Sequence, residues 1–485
     1  MDTRVLNILV TGANGYIGSH LIPALLSAGH KVRVMVRNTD SLRFFPWLNQ
    51  VSVCQGDVTK PSTLEPCLKG MQVAYYLVHS MKAGPGFEQR DRDAAERFGR
   101  AARNCDLQHI IYLGGLGDAS HGLSPHLRSR QETGRILRES GVAVTELRAG
   151  IIVGAGSLSF EMIRALTERI PLMICPRWVY QRTQPIAIDD VTAYLMQALG
   201  DPPDHSRIVE VGGTDVLTYG QLMQVYARCR GLRRFLIPVP LLTPRLSSYW
   251  VHWTTPIGAS MARPLIDGLR SEVIVRENRA TEIFPELRCI DYEAAVRKAL
   301  AELEPATFDQ YLERLLSMDR PVVATLERGM IVELWQASVN AGPDAVFESF
   351  ARLGGDRGWG RWHFLWRLRA MLDRCLGGIG ARSHPPRTQD LQQGDLLDFF
   401  RVEKVVVGRL LRLKIEMKLP GEGWLQFEAR PIDGGQTQLL QTVFFAPRGL
   451  LGQIYWYALL PVHRMIFKDL MKTLTADAAG RSSSG

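Results

Sequence analysis

The 485-residue chain is poor in cysteine, with seven in all and no C-x-x-C pair. Cys54, Cys67, Cys105, Cys175, Cys229, Cys289 and Cys375 are scattered and odd in number, a pattern that predicts neither a disulfide framework nor a metal site. Long uncharged runs are missing too. Gly449 to His463 carries no charge but falls short of the ~20 residues a membrane span needs, and Leu246 to Ala262 is diluted by Ser, Thr, His and Pro256. Neither segment is expected to cross a bilayer, although both are apolar enough to touch a lipid surface if they are not ordinary core. There is no Lys-rich arm, zinc finger or RNA-binding signature, so the formal charge of +9 is not read as nucleic-acid binding. No secretory signal precedes the first apolar run, and with the cysteine usage this points to a reducing cytoplasm. The composition is that of a globular protein, and at about 150 residues per domain the length calls for two or three domains.

What the chain does have is a glycine turn close to its start. Thr11-Gly12-Ala13-Asn14-Gly15-Tyr16-Ile17-Gly18 follows the aliphatic run Val5–Val10 and opens a periodic stretch through Leu25, so three glycines fall on a strand-to-helix turn. Gly12 suits the positive φ of a tight turn, Gly15 lets the backbone approach a pyrophosphate, and Gly18 lets the helix lie close to the strand. The helix N-terminus adds free N–H groups for phosphate. A glycine triplet without that context would be an ordinary turn.

Short β-branched runs alternate with helical patterns as far as Leu147. Candidate strands are Val5–Val10, Lys31–Val36, Val51–Cys54, Val73–Val78, His109–Leu113 and Val142–Leu147, which predicts βαβ crossovers and a parallel sheet. Ligands of such sheets bind beyond the carboxyl ends of the strands. Arg37 stands at the end of the second strand, where an acid would favour the bare ribose of NAD; a guanidinium can pair with a 2′-phosphate instead, so NADP is expected over NAD. Arg33 and Arg43 are placed to add to that field, and a solvated surface arginine is the plainer alternative.

Four landmarks fall in a single order: the G-x-x-G-x-x-G turn, Gly56-Asp57-Val58, Tyr76-Leu77-Val78-His79-Ser80-Met81, and Glu146-Leu147-Arg148-Ala149-Gly150. In these, residues 1–310 resemble an atypical short-chain dehydrogenase/reductase of the NmrA-like, NAD(P)-binding kind. The whole chain resembles the bacterial group that joins such a domain to a C-terminal domain of unknown function with a START-like (SRPBCC) appearance. The resemblance implies an α/β class with a Rossmann-type doubly wound parallel sheet, followed by an α+β helix-grip domain. It also implies that Gly12, Asn14, Gly15, Tyr16, Ile17, Gly18, Leu77, Val78 and Gly114 line the dinucleotide, that Asp57 bonds the adenine amino group, and that Val58 flanks the ring.

The family ordinarily places Tyr-x-x-x-Lys on the helix after the fifth strand, and nothing here matches it. In the corresponding segment, Ser124 to Arg130, the positional substitutes are His126 and Arg130. Arg130 can hold a ribose but cannot exchange protons near neutral pH, whereas His126 is expected to titrate near the working range. A helix-start histidine after a Ser-Pro cap is the alternative. His79 is a second catalytic candidate, and His121 is either loop or site. His126, Arg130 and Gly134 lie four apart on one helical face, which Gly134 leaves open. Trp178 and Arg182 are expected to line a substrate pocket, in a substrate-side subdomain at 175–300, and Asp190 to cap a helix. The apolar stretch Phe235 to Gly268 suggests a cover for a hydrophobic substrate, or an ordinary packed subdomain.

Further on, Leu411, Leu413, Ile415 and Met417 alternate with Arg412, Lys414, Glu416 and Lys418, a strand with one buried face. Trp424–Arg430 and Thr437–Ala446 follow as strands and Gly449–Leu474 as a long helix. An antiparallel sheet wrapped on a helix is expected over 325–476, resembling START-like domains, with either an apolar cavity or a core of Phe and Trp between the layers. The cluster Trp359 to Trp366 is core or cavity wall, and 477–485 is expected to be a disordered tail. The reading is an NADP(H)-dependent oxidoreductase acting on an apolar carbonyl, enone or quinone-like substrate. The missing Tyr-x-x-x-Lys keeps open a non-catalytic dinucleotide sensor or scaffold with a hydrophobic-ligand-binding C-terminal domain.

Overall fold

The β-branched runs of the N-terminal half are too short for helices and too apolar to face water, and they become the strands of one sheet. The computed structural model describes residues 5–79, 86–118, 123–200, 204–239, 272–303, 312, 325–327, 329–354, 358–359, 361–375, 377, 391–432 and 434–482. The chain forms two compact units, Met1–Glu302 and Leu303–Gly485. In the first, β1 (Asn7–Thr11), β2 (Lys31–Val36), β3 (Ser52–Gln55), β4 (Val73–Tyr76), β5 (His109–Gly115) and β6 (Ala143–Ala149) lie in the order β3-β2-β1-β4-β5-β6, with Arg207–Val211 at the far edge. Every pairing is parallel. The order reverses at β1, which opens a crevice between the carboxyl ends of β1 and β4.

Period-2 alternation sends neighbouring strand residues to opposite faces. Ile8, Val10 and Val34 meet α1 (Tyr16–Ser27) and the helix Ile188–Gln197 on one side. Leu9, Ala74, Tyr76, Ile110 and Tyr112 meet α2 (Leu64–Leu68), α3 (Phe87–Asn104) and α4 (Pro125–Arg138) on the other. The sheet is therefore covered on both faces, the Rossmann-type arrangement.

Several expectations need correction. Cys54, in β3, and Cys67, in α2, form a disulfide with Cα atoms 5.6 Å apart; the packing of strand against helix brings together two cysteines that no spacing motif marks. The α4 face left open by Gly134 is filled, because a Cβ there would lie 2.4 Å from Cδ of the fully buried Glu146. That carboxylate pairs with Arg138 and with Arg148, whose Nε is 2.7 Å from Oε1. Asp190 is not the cap of Ile188–Gln197, whose N-cap is Ala187; it accepts the backbone N–H of Ile290 at 3.1 Å and ties the helix to later chain.

In the second unit an antiparallel sheet of seven strands runs in the order 325–327, 330–339, 436–447, 421–432, 410–415, 400–406, 396–397. The helix Gly449–Ser482 lays Trp456, Phe467, Leu470 and Leu474 into the same core as Ile331, Leu439, Val443 and Phe445. Leu411 and Leu413 face that core as expected, but Arg412 on the other face is buried as well, its Nε donating to Gln426 at 2.7 Å. Trp359 is core, with its indole N–H on Asp398 at 2.8 Å. Residues 477–482 of the expected loose tail are helical, held by fully buried Ala478 and an Asp477–Arg481 pair at 3.1 Å. Among the described residues no helix is long and apolar enough to cross a membrane. Most of the apolar stretch Phe235–Gly268, from 240 on, lies outside the described residues.

Candidate functional site

The crevice is shaped by backbone constraints around Gly12. Its φ is +67°, and a Cβ would fall 2.7 Å from the carbonyl oxygen of Leu77. The Gly15 N–H donates to Gly12 O at 2.9 Å and closes the turn, while a Cβ on Gly18 would lie 2.6 Å from the same oxygen. α1 starts at Tyr16 with Gly15 as its N-cap, no side chain capping it and no acid in its first turn. Its first N–H groups are therefore available to an anion. The Thr11 hydroxyl donates to Tyr75 O and accepts from the Leu77 N–H, both at 3.0 Å, which locks the end of β1 to that of β4. Asn14 donates to Ser41 Oγ at 3.2 Å on the neighbouring loop.

At the adenosine end, Arg37 is exposed and its carbonyl is fixed by Gln55 Nε2 at 3.0 Å. Arg33 and Arg43 make contacts of their own. Arg33 Nη1 donates to the carbonyls of Cys67 and Lys69, both at 2.9 Å, and Arg43 lies 4.5 Å from the centre of the Phe44 ring. Asp57 Oδ1 accepts from the N–H and the hydroxyl of Thr59 at 2.9 and 2.8 Å, an Asx turn that orients the carboxylate and keeps Val58 buried.

Beyond the cradle, a cavity of about 370 Å³ is lined by Tyr16, Ile17, Leu77 and Gly114, by His79, His126 and Arg130, and by apolar residues including Ile151, Ile152 and Leu158. His79 Nδ1 is 3.0 Å from Asp91 Oδ2, and His79 Nε2 is 3.2 Å from His126 Nδ1. Ser129 Oγ donates to the same Asp91 oxygen at 3.1 Å. Sequence reasoning missed Asp91. Its signal was there: on α3 it falls on the face that buries Ala94, Ala95 and Phe98, an acid in an apolar stripe.

Burial pushes His126 down to about 3, His79 and Arg130 adding to the shift and Asp91 opposing it. His79 is lowered as well, chiefly by burial, against its bond to Asp91. The expectation that His126 titrates near the working range is thus corrected, since desolvation disfavours its cation. Ser124 does cap α4, accepting the Leu127 N–H at 3.3 Å, so the cap and the site coexist.

Arg130 donates from Nη1 to Val78 O at 3.4 Å and from Nη2 to Leu113 O, with its guanidinium 4.9 Å from the Tyr112 ring centre. It ties together the chain beyond β4 and the end of β5. Arg182 is exposed and its Nε pairs with Glu272 at 2.6 Å. The backbone of Trp178 lies in the turn Arg177–Tyr180, and its side chain is outside the described residues, as are Ser80, Met81 and His121.

Residues 12–168 match a family model described as NAD(P)H-binding. The first unit carries an NAD(P)H-binding domain. Its glycine cradle fits that cofactor, since Gly12 and Gly18 leave no room for a Cβ where the turn closes. Residues 327–470 match a family described as a protein of unknown function, DUF2867. The chain is 27% identical over 273 residues to a ceramide reductase of Caulobacter vibrioides, covering 53% of this chain and 84% of that protein. It is 21% identical over 252 residues to the photosystem II assembly factor Ycf39 of Trieres chinensis, covering 50% of this chain and 75% of that one. Among solved structures, the triphenylmethane reductase of Citrobacter sp. shares the fold of the NAD(P)H-binding domain, with a TM-score of 0.50, 19% identity, and coverage of 61% of this chain and 99% of that one.

Proposed function

We propose that the protein is an NAD(P)H-dependent oxidoreductase acting on an apolar carbonyl, enone or quinone-like substrate. The observation that carries this reading is continuity: Tyr16, Ile17 and Leu77 beside the nucleotide cradle and the His79–His126 pair line a single cavity. When bound, the nicotinamide supplies or takes the hydride. The chain supplies the rest. Gly12, Gly15 and Gly18 with the α1 N-terminus hold the pyrophosphate, and Asp57 and Val58 take the adenine. Arg37 meets a 2′-phosphate, which favours NADP over NAD. His126, backed by His79, exchanges the proton at the substrate oxygen, and Arg130 positions the strand ends that flank the cavity. Ile151, Ile152 and Leu158 give it an apolar wall. Trp178 and Arg182 remain proposals for the substrate side. The similarity to a protein named ceramide reductase supports reductase chemistry on apolar molecules. For the second unit we propose a START-like helix-grip that binds hydrophobic material, supported by its antiparallel sheet and long aromatic-bearing helix.

One observation favours a dinucleotide sensor instead: α4 contains neither tyrosine nor lysine. NADPH titration followed by turnover on a panel of quinones and enones separates the two. Tight binding with no substrate-dependent oxidation, unchanged in His126→Ala and His79→Ala, would end the enzyme reading. Arg37→Glu is expected to weaken NADPH binding about tenfold or more, the scale of a charge-assisted bond, and to leave NADH binding little changed. Equal NADPH affinity in the variant removes Arg37 from the site.

A further inference from the structure

The hydrogen bonds around Asp91 allow one consistent placement of the ring protons in the histidine pair. Asp91 Oδ2 accepts from Ser129 Oγ at 3.1 Å and lies 3.0 Å from His79 Nδ1, so a carboxylate there requires His79 to carry its proton on Nδ1. Neutral His79 then offers only a lone pair at Nε2, and His126 Nδ1, 3.2 Å away, must be the donor. This leaves His126 Nε2 with a lone pair. Among the described residues that nitrogen makes no hydrogen bond, and His126 lines the cavity with Leu77 and Gly114.

We propose that Asp91 and His79 are positioning residues that hold His126 in its Nδ1–H tautomer, so that the cavity presents a bare Nε2 to a ligand hydroxyl. The substrate class is then an apolar secondary alcohol, paired with the corresponding ketone. The proposal rests on the oxidoreductase reading and deepens it. On oxidation, the alcohol O–H bond breaks and its proton goes to His126 Nε2. The C–H electron pair leaves as hydride for the oxidised cofactor, and C–O becomes C=O. The positive charge gained by His126 is shared through Nδ1–H with His79 and balanced by Asp91. Ketone reduction is the reverse and requires Nε2 to take up a proton first, which the burial of His126 disfavours, so the resting tautomer serves alcohol oxidation. This chain of donors does the work that Tyr-x-x-x-Lys does elsewhere, with a carboxylate as its anchor in place of an ammonium.

Nitrogen-15 NMR of the histidine rings in the full-length protein tests the tautomer without turnover, with His126→Gln assigning the signals. At neutral pH the wild type is expected to show His126 protonated on Nδ1 and bare on Nε2. Asp91→Asn keeps the shape but lets an amide N–H face His79 Nδ1; Ser129 can turn its hydroxyl to suit, and the chain inverts, placing the His126 proton on Nε2. Binding gives a second readout, measured calorimetrically in the cofactor-free protein with 1-(2-naphthyl)ethanol and 2-acetonaphthone. The wild type is expected to prefer the alcohol about fivefold, the worth of one neutral hydrogen bond, and Asp91→Asn to prefer the ketone. A wild-type His126 protonated on Nε2, or a wild-type preference for the ketone, overturns the tautomer proposal whether or not the protein turns over. Ring protons as assigned, with no alcohol oxidation or ketone reduction using either cofactor, remove the secondary-alcohol substrate class; only the loss of quinone and enone turnover as well ends the oxidoreductase reading.

Discussion

Gly12 is held by two independent constraints, a φ of +67° and a carbonyl oxygen 2.7 Å from where a Cβ would stand. An alanine there meets backbone on both counts. Gly12→Ala is expected to cost at least about 1–2 kcal/mol from the left-handed backbone alone and to abolish saturable NADPH binding. Fluorescence titration and thermal unfolding read the two effects separately. Such glycines are legible in sequence because their constraint is local, a turn between a strand and a helix. His126 was legible as a position but not as an acid, because its low proton affinity comes from burial beside His79 and Arg130, which belongs to tertiary packing. Asp91 was hidden for the same reason. Only when α3 lies against the sheet does one carboxylate on its apolar face meet a ring from beyond β4 and a hydroxyl from α4.

Among the elements, β2 occupies the expected Lys31–Val36, and the other N-terminal strands lie within a few residues of the expected bounds, since alternating apolar runs between turn residues leave little freedom. The link from β3 to α2 was not readable. Cys54 and Cys67 are 13 residues apart, and closing a loop of that order restricts the unfolded chain by up to about 3 kcal/mol. Their bond also frames Gly56, whose Cβ would stand 3.0 Å from Cys67 Sγ, and so steadies the loop that carries Asp57. Dithiothreitol is expected to lower the melting temperature by several degrees and to weaken NADPH binding. A Cys54→Ser, Cys67→Ser double variant should lose both responses; an unchanged response in that variant would place the effect elsewhere.

For the molecule as a whole, acid is the informative stress. Burial holds His109 and His463 near 4 and His126 near 3, all below the unfolded value of about 6.5. Once the pH drops below about 6.5 the unfolded chain takes up protons that the folded chain refuses, so this stability is complete above that pH and is lost as pH falls towards about 4. Each histidine adds a slope of up to about 1.4 kcal/mol per pH unit. Melting temperature at constant ionic strength should therefore fall between pH 7 and pH 5, and a flat profile would contradict the burial of these rings. That the two halves of the chain differ in architecture was visible in the shift from βα alternation to consecutive strands, whereas the polar interior around Arg412 and Gln426 was not, because alternation marks charge but not whether a second layer covers it.

The Glu146 carboxylate, itself no part of the cavity lining, acts on the cavity through α4. It grips α4 through Arg138 at the last residue of that helix, while His126 and Ser129 stand among its first five, a helix of 14 residues and about 20 Å in all. A rod pinned at its far end and again at Arg130 cannot roll about its axis without swinging the imidazole off its neighbour. The alignment of the two rings is thus indexed from the opposite end of the helix, and a change at Arg138, which touches neither cofactor nor cavity, would detune proton exchange as surely as a change in the rings themselves.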